Sequence, residues 1–378
     1  MNLEQLRTQI DSIDGQVLEL LNRRADFVHQ VGEVKRQAGA EFYAPEREEQ
    51  LLRRLAERNR ALQGKLSEQA VRAIYREVMS AALALEKPLT IAYLGPQHSW
   101  THQAACDKFG ASLDYLALLS ISDVFMEVQR HRADYGVVPI ENSTEGAVSH
   151  TLDVFMESDL RICAQVMLPI AHNLAAHPDA SSLAALTKVY SHPQAFGQCR
   201  NWLRTHLPEV DLIETASTTR AAELAACDPE AGAVCGQMAA EAYKLKILES
   251  TIQDSPNNAT RFLVIGHTTC PRTGNDKTSL MFCVQDKVGA LYAALKPFEE
   301  MKISLSKIES RPSKRKAWEY FFFVDVEGHS EDPEVISALN HLRQHCSFLK
   351  ILGSYANTPS PVMLANTAAG LQGIDKVC

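Results

Sequence analysis

Apolar side chains recur through the first 34 residues in alternating steps of three and four. The apolar seam consists of Leu3, Leu6, Ile10, Ile13, Val17, Leu20, Phe27, Val31 and Val34. This spacing predicts a single helix of about nine turns with a heptad stripe on one face. Gly39 and Ala40 interrupt the pattern. Because one long helix cannot bury such a stripe by itself, the sequence predicts that this part of the chain dimerises.

Two shorter helices are predicted to follow. Pro45 stands at a first helical position, and Gly64 ends the apolar pattern that follows it. Ser67 is a suitable N-cap for the next helix, and Pro88 closes the region. Residues 1–87 are therefore predicted to form an all-α domain.

One position in the seam holds a charge. The stepping predicts an apolar side chain at position 24, between Leu20 and Phe27, but the residue is Arg24. Lys35 returns to nearly the same face eleven residues later, and Arg47 lies on the apolar face of the second helix. Inward cations need anionic partners, which are either acidic residues across the bundle or a bound ligand. For all three cations together, a dicarboxylate ligand is the better interpretation.

Residues 3–86 resemble the all-helical chorismate mutase family. The motifs that carry the resemblance are Leu-Arg at 6–7, Ile-Asp at 13–14, Leu-Leu-Asn-Arg-Arg at 20–24, Val-Gly-Glu-Val-Lys at 31–35 and Pro-Glu-Arg-Glu at 45–48. The resemblance implies an intertwined dimer that binds chorismate inside the bundle.

The same resemblance implies a role for each matching residue. Arg24, Lys35 and Arg47 would bind the two carboxylates and the ether oxygen of chorismate. Arg7 would reach the partner subunit's site, and Glu48 would bind the substrate hydroxyl. Two positions depart from the pattern: Ala44 replaces an Asp of some members, and Glu86, which we count among the catalytic residues, replaces a Gln.

Residues 89–268 alternate β-rich runs with helical patterns, which predicts an α/β domain of two lobes with a cleft. Polar clusters follow the predicted strands: Glu141-Asn142-Ser143, His192 with Gln194, Ser217-Thr218, and Thr260-Arg261-Phe262 before the last strand. Taken singly, each is better explained by a turn or a helix cap than by a binding site. In open α/β folds, ligands bind where strands end, so we expect most of these clusters to face one cleft.

A metal site is not predicted in this region. His98, His102 and Cys106 are spaced by four, but Pro96 indicates that His98 lies in a loop, and no carboxylate follows it as in the zinc-binding helix motif. We expect no metal and no cofactor.

The region resembles the prephenate dehydratase family over nearly its whole length. The shared motifs are Tyr93-Leu94-Gly95-Pro96, Val138 to Ser143, Ser191-His192-Pro193-Gln194-Ala195 and Asn258-Ala259-Thr260-Arg261-Phe262. The resemblance implies a fold like that of two-lobed periplasmic binding proteins. It also implies that Thr260 donates a proton to the departing hydroxyl and that Arg261 holds a carboxylate. His98 stands where the family usually has Gly, which would narrow the mouth of the cleft.

Residues 277–355 follow the order β-α-β-β-α-β, which predicts an α+β ferredoxin-like domain. Gly289-Ala290-Leu291 and Glu309-Ser310-Arg311-Pro312 resemble the two effector motifs of the ACT regulatory domain, which bind phenylalanine across a dimer interface in this enzyme family. We expect the first two strands of this domain to be neighbours, so that both motifs line one pocket. Residues 356–378 are small, polar and aperiodic, which predicts a disordered tail.

Composition limits the remaining possibilities. A net charge of -8 argues against nucleic acid as a partner, and no apolar run approaches bilayer length. Nine Cys without C-x-x-C spacing and an N-terminus without an apolar stretch predict a cytoplasmic protein.

The expected function is conversion of chorismate to prephenate and of prephenate to phenylpyruvate, in a homodimer or larger oligomer inhibited by phenylalanine. The alternatives are an arogenate dehydratase and a non-catalytic amino-acid sensor.

Overall fold

The computed structural model describes residues 1–39, 42–285, 287–314 and 318–358. The chain divides into two compact units. One comprises Met1–Ile91 with Lys108–Tyr115, and the other comprises Ala92–Asp107 with the chain from Leu116 onward. Within the described ranges, no helix has both the length and the apolar character needed to cross a membrane.

The first unit is built on three helices, α1 (Leu3–Ala38), α2 (Pro45–Ala61) and α3 (Glu68–Glu86), as predicted. Their ends follow the expected chemistry. Gly39 closes α1 in a left-handed conformation, Pro45 opens α2, and the Ser67 hydroxyl accepts a hydrogen bond from the Ala70 amide at the start of α3. The side chains of the apolar seam on α1 are 42% to 65% exposed, so this chain alone does not cover them.

The segment Lys108–Tyr115 packs on these helices. Phe109 is buried, with its ring centroid 4.9 Å from that of Tyr43. The Ala111 amide donates to Glu77 Oε2 and the Ser112 amide to Ser80 Oγ, both on α3. The Phe109 ring and two backbone amides therefore anchor this short segment to the helices.

The second unit contains the predicted two-lobed α/β region. The elements of this region, including strands β1 and β2 that begin in the first unit, are β1 (Thr90–Leu94), α4 (Trp100–Phe109), β2 (Asp114–Leu118), α5 (Ile121–Gln129), β3 (Tyr135–Asn142), β4 (Gly146–Ala147), α6 (Ser149–Phe155), β5 (Arg161–Pro169), β6 (Asn173–Ala176), a 3-10 turn (Leu183–Ala185), β7 (Lys188–Ser191), α7 (Pro193–Gln198), α8 (Arg200–His206), β8 (Asp211–Glu214), α9 (Thr218–Ala225), β9 (Ala231–Cys235), α10 (Gln237–Ala242), β10 (Lys246–Glu249) and β11 (Ala259–Gly266).

Each lobe has its own sheet, which confirms the two-lobed prediction. The first sheet runs β2-β1-β3-β11-β5, with β4 paired to β3, and the second runs β10-β6-β9-β7-β8. Strand β11 lies far along the chain but returns to the first sheet, antiparallel to both β3 and β5. Thr260 and Arg261 lie inside this strand, not ahead of it as predicted.

The last region has the predicted β-α-β-β-α-β order. Its elements are β12 (Asp276–Val284), α11 (Ala290–Glu300), β13 (Leu305–Pro312), β14 (Tyr320–Glu327), α12 (Pro333–His345) and β15 (Cys346–Ala356). The sheet order is β13-β14-β12-β15, so the prediction that β12 and β13 are neighbours is wrong. The crossover through α11 leaves a gap between them that β14 fills, antiparallel to both. The predicted tail lies, from residue 359 on, outside the described residues.

One face of this second-unit sheet shares a core with the first lobe. Met281, Phe323 and Leu352 belong to the same buried cluster as Ile162 and Leu263. The opposite face is covered by α11 and α12 through Phe282, Phe298, Val324 and Leu339. The four-stranded sheet therefore lies between its own helices and the α/β region.

Candidate active sites

A cavity of about 300 Å³ lies within the first unit. It is lined by Arg24, Val28, Lys35, Phe42, Tyr43, Ala44, Arg47, Glu48, Leu51, Met79, Ser80, Ala82, Leu83, Glu86 and Phe109. Five of the residues selected from the sequence meet there although they come from three helices. Its lining combines apolar side chains with five charged ones, which suits a small ring that carries carboxylates.

The charges on α1 and α3 are partly paired. Lys35 Nζ lies 2.8 Å from Glu86 Oε2 and donates to the Phe42 carbonyl at 2.8 Å. This pair depends on a close helix crossing, because a Cβ added at Gly32 on α1 would lie 3.3 Å from Glu86 Cα. Arg24 Nη1 is 3.5 Å from the Val78 carbonyl oxygen, a weak contact that leaves the guanidinium available.

Glu48 is held from two sides. Its Oε2 lies 2.9 Å from Lys108 Nζ and 3.4 Å from the Tyr43 hydroxyl. Arg47, next to it on α2, is exposed and makes no hydrogen bond or ion pair with the residues described. The cavity therefore presents Arg24 and Arg47 as cations that are free to bind an anion.

Arg7 does not reach this cavity. It precedes Arg24 by seventeen residues on α1, which is about 25 Å along a helix axis. A role for Arg7 in catalysis consequently requires a second copy of the chain, as the resemblance implied, and stays a prediction.

The second candidate site is built around Thr260. Thr260 on β11 pairs in register with Asn142 on β3, and Asn142 Nδ2 donates to Thr260 Oγ1 at 2.8 Å. Asn142 also donates to Asn258 Oδ1 at 3.0 Å. Its own Oδ1 accepts from the Thr144 amide and hydroxyl and from the Glu145 amide. Asn142 thus fixes the turn that follows β3 and the position of the Thr260 hydroxyl.

Gln198 on α7 connects the two lobes at this point. Its Oε1 accepts from Asn258 Nδ2 at 2.9 Å and lies 2.8 Å from His172 Nε2. Its Nε2 lies 3.2 Å from Thr144 Oγ1. Burial lowers the pKa of His172, against the opposing effect of its hydrogen bond with Gln198. Thr260 therefore sits in a polar network that spans the cleft.

Other selected residues gather at the carboxyl edge of the parallel strands β7, β8 and β9. His192 and Ser217 are helix N-caps, whose side chains accept from the Gln194 and Arg220 amides. Thr218 begins α9, and Gln194 is exposed on α7. These residues share one sheet edge, but their present hydrogen bonds are those of caps. Ser143 is tied to β11 through its hydroxyl, which accepts from the Ala259 amide.

Arg261 does not occupy the predicted position. Successive side chains of a strand point to opposite faces, so Arg261 lies on the face of β11 away from Thr260. Its guanidinium is buried and bound to Asp325 on β14, and Nη2 donates to the Tyr355 hydroxyl at 2.7 Å. The pKa of Arg261 is raised despite its burial, because Tyr355 and Asp325 stabilise the charge. In this structure Arg261 joins β11 to the four-stranded sheet and is not open to a substrate carboxylate.

Two neighbours of this network also depart from the prediction. Phe262 is 1% exposed and belongs to the core rather than to a ligand surface. Glu141 Oε2 lies 2.9 Å from Lys307 Nζ on β13, so its carboxylate also faces the four-stranded sheet. Asn142 and Glu141 are adjacent but point to different sides of β3, which separates their roles.

The predicted effector residues occupy two places. Gly289 is the N-cap of α11 with φ 78°, a left-handed conformation that favours glycine, and it is followed by buried Ala290 and half-buried Leu291. Glu309, Ser310, Arg311 and Pro312 end the edge strand β13. Because β14 separates β13 from β12, the strand that leads to Gly289, the two motifs are not on neighbouring strands as predicted.

Arg311 has a partner in the α/β region. Its Nε and Nη2 lie 3.1 Å from the two Asp153 carboxylate oxygens on α6, and Lys314 Nζ lies 2.7 Å from the same group. Burial opposes the charge of Asp153, but Lys314 and Arg311 outweigh it and lower the pKa of the carboxyl. Arg311 is thus committed to an ion pair in this structure.

Sequence reasoning missed several polar residues of the cleft. Gln198 follows Gln194 by one helical turn, a spacing that could have identified it. His172 and Trp100 give no local signal, because their rings meet edge to face at 5.8 Å only through the fold. Trp100 also covers Gly236, whose added Cβ would lie 2.8 Å from the indole.

As predicted, His98 lies in a loop before α4. Burial and His98 lower the pKa of His102 to about 4.

Models of three known families match successive parts of the chain. The chorismate mutase type II model matches residues 6–87, the prephenate dehydratase model matches residues 91–270 and the ACT domain model matches residues 278–344.

Individual relatives match across these regions. A bifunctional chorismate mutase/prephenate dehydratase of Aquifex aeolicus is 49% identical over 354 residues, which is 93% of this chain and 97% of the relative. A protein of the same name from Neisseria gonorrhoeae is 45% identical over 351 residues, covering 92% of this chain and 95% of the relative.

A solved structure of similar fold is the prephenate dehydratase of Arthrobacter aurescens in complex with L-Phe. It superposes with a TM-score of 0.67 at 32% identity, and covers 76% of this chain and 100% of that one. The helices that precede the α/β region match the mutase model. With a charged cavity among the helices and the Thr260 network in the cleft, the chain belongs to the bifunctional chorismate mutase/prephenate dehydratase family.

Proposed function

We propose that this chain rearranges chorismate to prephenate in the helical unit and converts prephenate to phenylpyruvate at Thr260, under inhibition by phenylalanine. The observation that carries the proposal is the convergence of Arg24, Lys35, Arg47, Glu48 and Glu86 on one cavity, in a chain whose second unit holds the Asn142–Thr260 hydrogen bond.

The first reaction needs no acid, base or nucleophile, because it is a unimolecular pericyclic rearrangement. The enzyme has to hold the reactive conformer and stabilise charge on the breaking ether oxygen. Arg24 and Arg47 are the free cations that would bind the carboxylates. Lys35 would bind the ether oxygen, for which it would have to exchange part of its interaction with Glu86.

The second reaction removes CO2 and water from prephenate and leaves an aromatic ring, so a weak acid is sufficient. A hydroxyl has one donor hydrogen and two acceptor lone pairs. Because Asn142 Nδ2 occupies an acceptor position of Thr260 Oγ1, the Thr260 hydrogen remains free to protonate the leaving hydroxyl. Asn142 is held in this orientation by hydrogen bonds. Gln198 donates to Thr144, which itself donates to Asn142, and Asn258 joins the side-chain amides of Asn142 and Gln198.

The working form is proposed to be a homodimer or a larger homo-oligomer in the cytoplasm. Two observations support a second copy. The apolar seam of α1 is exposed in the single chain, and Arg7 is too far from Arg24 to serve the same cavity. The cytoplasmic location rests on the cysteine pattern of the sequence.

Two substitutions test the assignment of the reactions. Arg24→Ala should lower mutase kcat/KM by on the order of 10²–10³, because it removes charge stabilisation from the transition state, and should leave dehydratase activity intact. Thr260→Ala should do the reverse. Both rates are measured on one preparation of each variant, so each activity reports the folding of the other. Loss of both activities in a folded variant would contradict the two-site assignment.

The remaining alternatives are separated by substrate. Wild-type protein is assayed with chorismate, prephenate and arogenate, each with and without phenylalanine. Activity on arogenate above that on prephenate would favour an arogenate dehydratase. Phenylalanine binding without turnover of any of the three would indicate a non-catalytic sensor.

A further inference from the structure

The mutase cavity is completed by residues that lie outside the mutase region of the sequence. The chorismate mutase model ends at residue 87, but Phe109 lines the cavity and Lys108 reaches Glu48. Both residues fall within the range of the prephenate dehydratase model and yet belong to the compact unit of the helices.

The backbone position of Lys108 is fixed by the contacts of its neighbours in the chain. Phe109 is 3% exposed, and its ring packs on Tyr43. Two residues later, the Ala111 and Ser112 amides are bound to Glu77 and Ser80 of α3. The backbone on either side of Lys108 Cα is thus fixed against the helices that form the cavity.

The contact of Lys108 with Glu48 is specific. Nζ lies 2.9 Å from Oε2, both side chains are mostly buried at 20% and 14% exposure, and the ammonium also lies 5.7 Å from the centre of the Tyr43 ring. A charge-assisted hydrogen bond in such surroundings is shorter and stronger than a neutral one. Lys108 therefore fixes the rotamer of Glu48.

The charges that line the cavity indicate what the Lys108–Glu48 pair does. The cavity is lined by the cations Arg24, Lys35 and Arg47 and by the carboxylates Glu48 and Glu86. Lys35 is paired with Glu86. If Glu48 had no partner of its own, its carboxylate would be attracted to Arg24 or Arg47 and would cancel a charge needed for a dicarboxylate ligand.

We propose that Lys108 is a positioning residue of the mutase site: it holds the Glu48 carboxylate toward the substrate and keeps Arg24 and Arg47 available for the substrate carboxylates. The inference rests on the proposed mutase function. It extends the mutase site beyond residue 87 to a helix end that family comparison assigns to the dehydratase.

The test is a set of variants of the full chain assayed for both reactions. Lys108→Met should raise KM for chorismate about tenfold with a smaller change in kcat. Glu48 would then pair with Arg24 or Arg47 and weaken their binding of the substrate carboxylates, while the shape of the cavity that holds the reactive conformer would stay the same. Lys108→Arg should restore most of the affinity. Lys65→Met, which removes an exposed lysine of the same unit, is the matched control and should match wild type.

A double-mutant cycle with Glu48 gives the decisive comparison. If Lys108 acts through Glu48, Lys108→Met should have little further effect in a Glu48→Gln background, so the two changes are non-additive. Wild-type kinetics in Lys108→Met, or equal effects of Lys108→Met in both backgrounds, would overturn the proposal. Dehydratase activity of each preparation reports folding, and Lys108→Gln replaces Lys108→Met if that variant is unstable. If Arg24→Ala loses mutase activity but Lys108→Met does not, only the positioning role fails.

Discussion

Single residues decide which proton and which charge each reaction can use. Asn142 donates to the Thr260 oxygen, so this contact does not use the Thr260 hydroxyl hydrogen. In the helical unit, Glu86 replaces a neutral Gln of some related mutases and accepts a hydrogen bond from Lys35. The Glu86 carboxylate is paired with Lys35 and cannot donate to a breaking ether, whereas an amide at this position could. This one residue should therefore limit how strongly the site supports the breaking ether.

We predict that Glu86→Gln raises mutase kcat/KM at pH 7, because an amide can donate to the breaking ether and leaves Lys35 without its ion pair. The measurement is kcat/KM for chorismate, with Glu57→Gln on the exposed side of α2 as the control. An unchanged or lower kcat/KM in Glu86→Gln would contradict this effect of Glu86.

At the scale of elements, β11 serves two purposes with its two faces. One face presents Thr260 to the cleft, and the other sends Arg261 to Asp325 on β14. Burial disfavours ionisation of Asp325, but Arg261, Ser279 and Lys277 outweigh it and lower the pKa of the carboxyl. The sequence predicts that successive side chains of β11 point to opposite faces. It does not predict that Arg261 pairs with Asp325, 64 residues later, because many acidic residues could have met Arg261.

Asp325→Asn should destabilise the second unit by about 3–5 kcal/mol, since it removes the nearest counter-charge of a buried guanidinium and leaves it the more distant Glu141 carboxylate, 3.8 Å away. The difference from wild type should be constant above about pH 5. It should shrink as pH falls below the ordinary carboxyl pKa of about 3.9, because the folded-state pKa is lower than the unfolded one and the wild-type carboxylate then protonates.

Urea unfolding monitored by dehydratase activity at pH 7, and by fluorescence at lower pH, measures this difference. Glu223→Gln breaks an exposed pair with Arg220 and should cost less than about 1 kcal/mol. An equal effect of the two substitutions would contradict a structural role for the buried pair.

At the scale of the whole molecule, the ferredoxin-like region is built into the α/β region rather than appended to it. Met281, Phe323 and Leu352 share a core with Ile162 and Leu263. A chain shortened before residue 276 would expose this apolar face, so control by phenylalanine is better tested by substitution in the full chain.

Gly289→Ala should weaken phenylalanine inhibition about fivefold, because alanine disfavours φ 78° by about 1–2 kcal/mol and the start of α11 would shift. The ratio of dehydratase rates with and without phenylalanine is measured over a concentration series. Gly274→Ala places the same residue at φ 85° in the linker and controls for strain alone. Equal inhibition in both variants would remove Gly289 from the effector site.

The sequence by itself determined what depends on near neighbours. The apolar seam and the glycine at 39 set the length of α1, and Ser67 set the start of α3, because caps and periodicity act within one or two helical turns. Short strands such as β6, Asn-Leu-Ala-Ala, give no local signal, because alanine has little strand preference and the paired strands hold this segment extended.

Only the tertiary structure decided which charges meet. It turned Arg261 toward Asp325 and brought Lys108, which comes after the predicted mutase domain, to Glu48. A charge can be paired by any opposite charge that the fold brings within a few ångströms, and no spacing rule along the chain ranks those partners. The residue types of both sites were therefore predictable, whereas the division of those residues between substrate contacts and structural pairs depended on the folded chain.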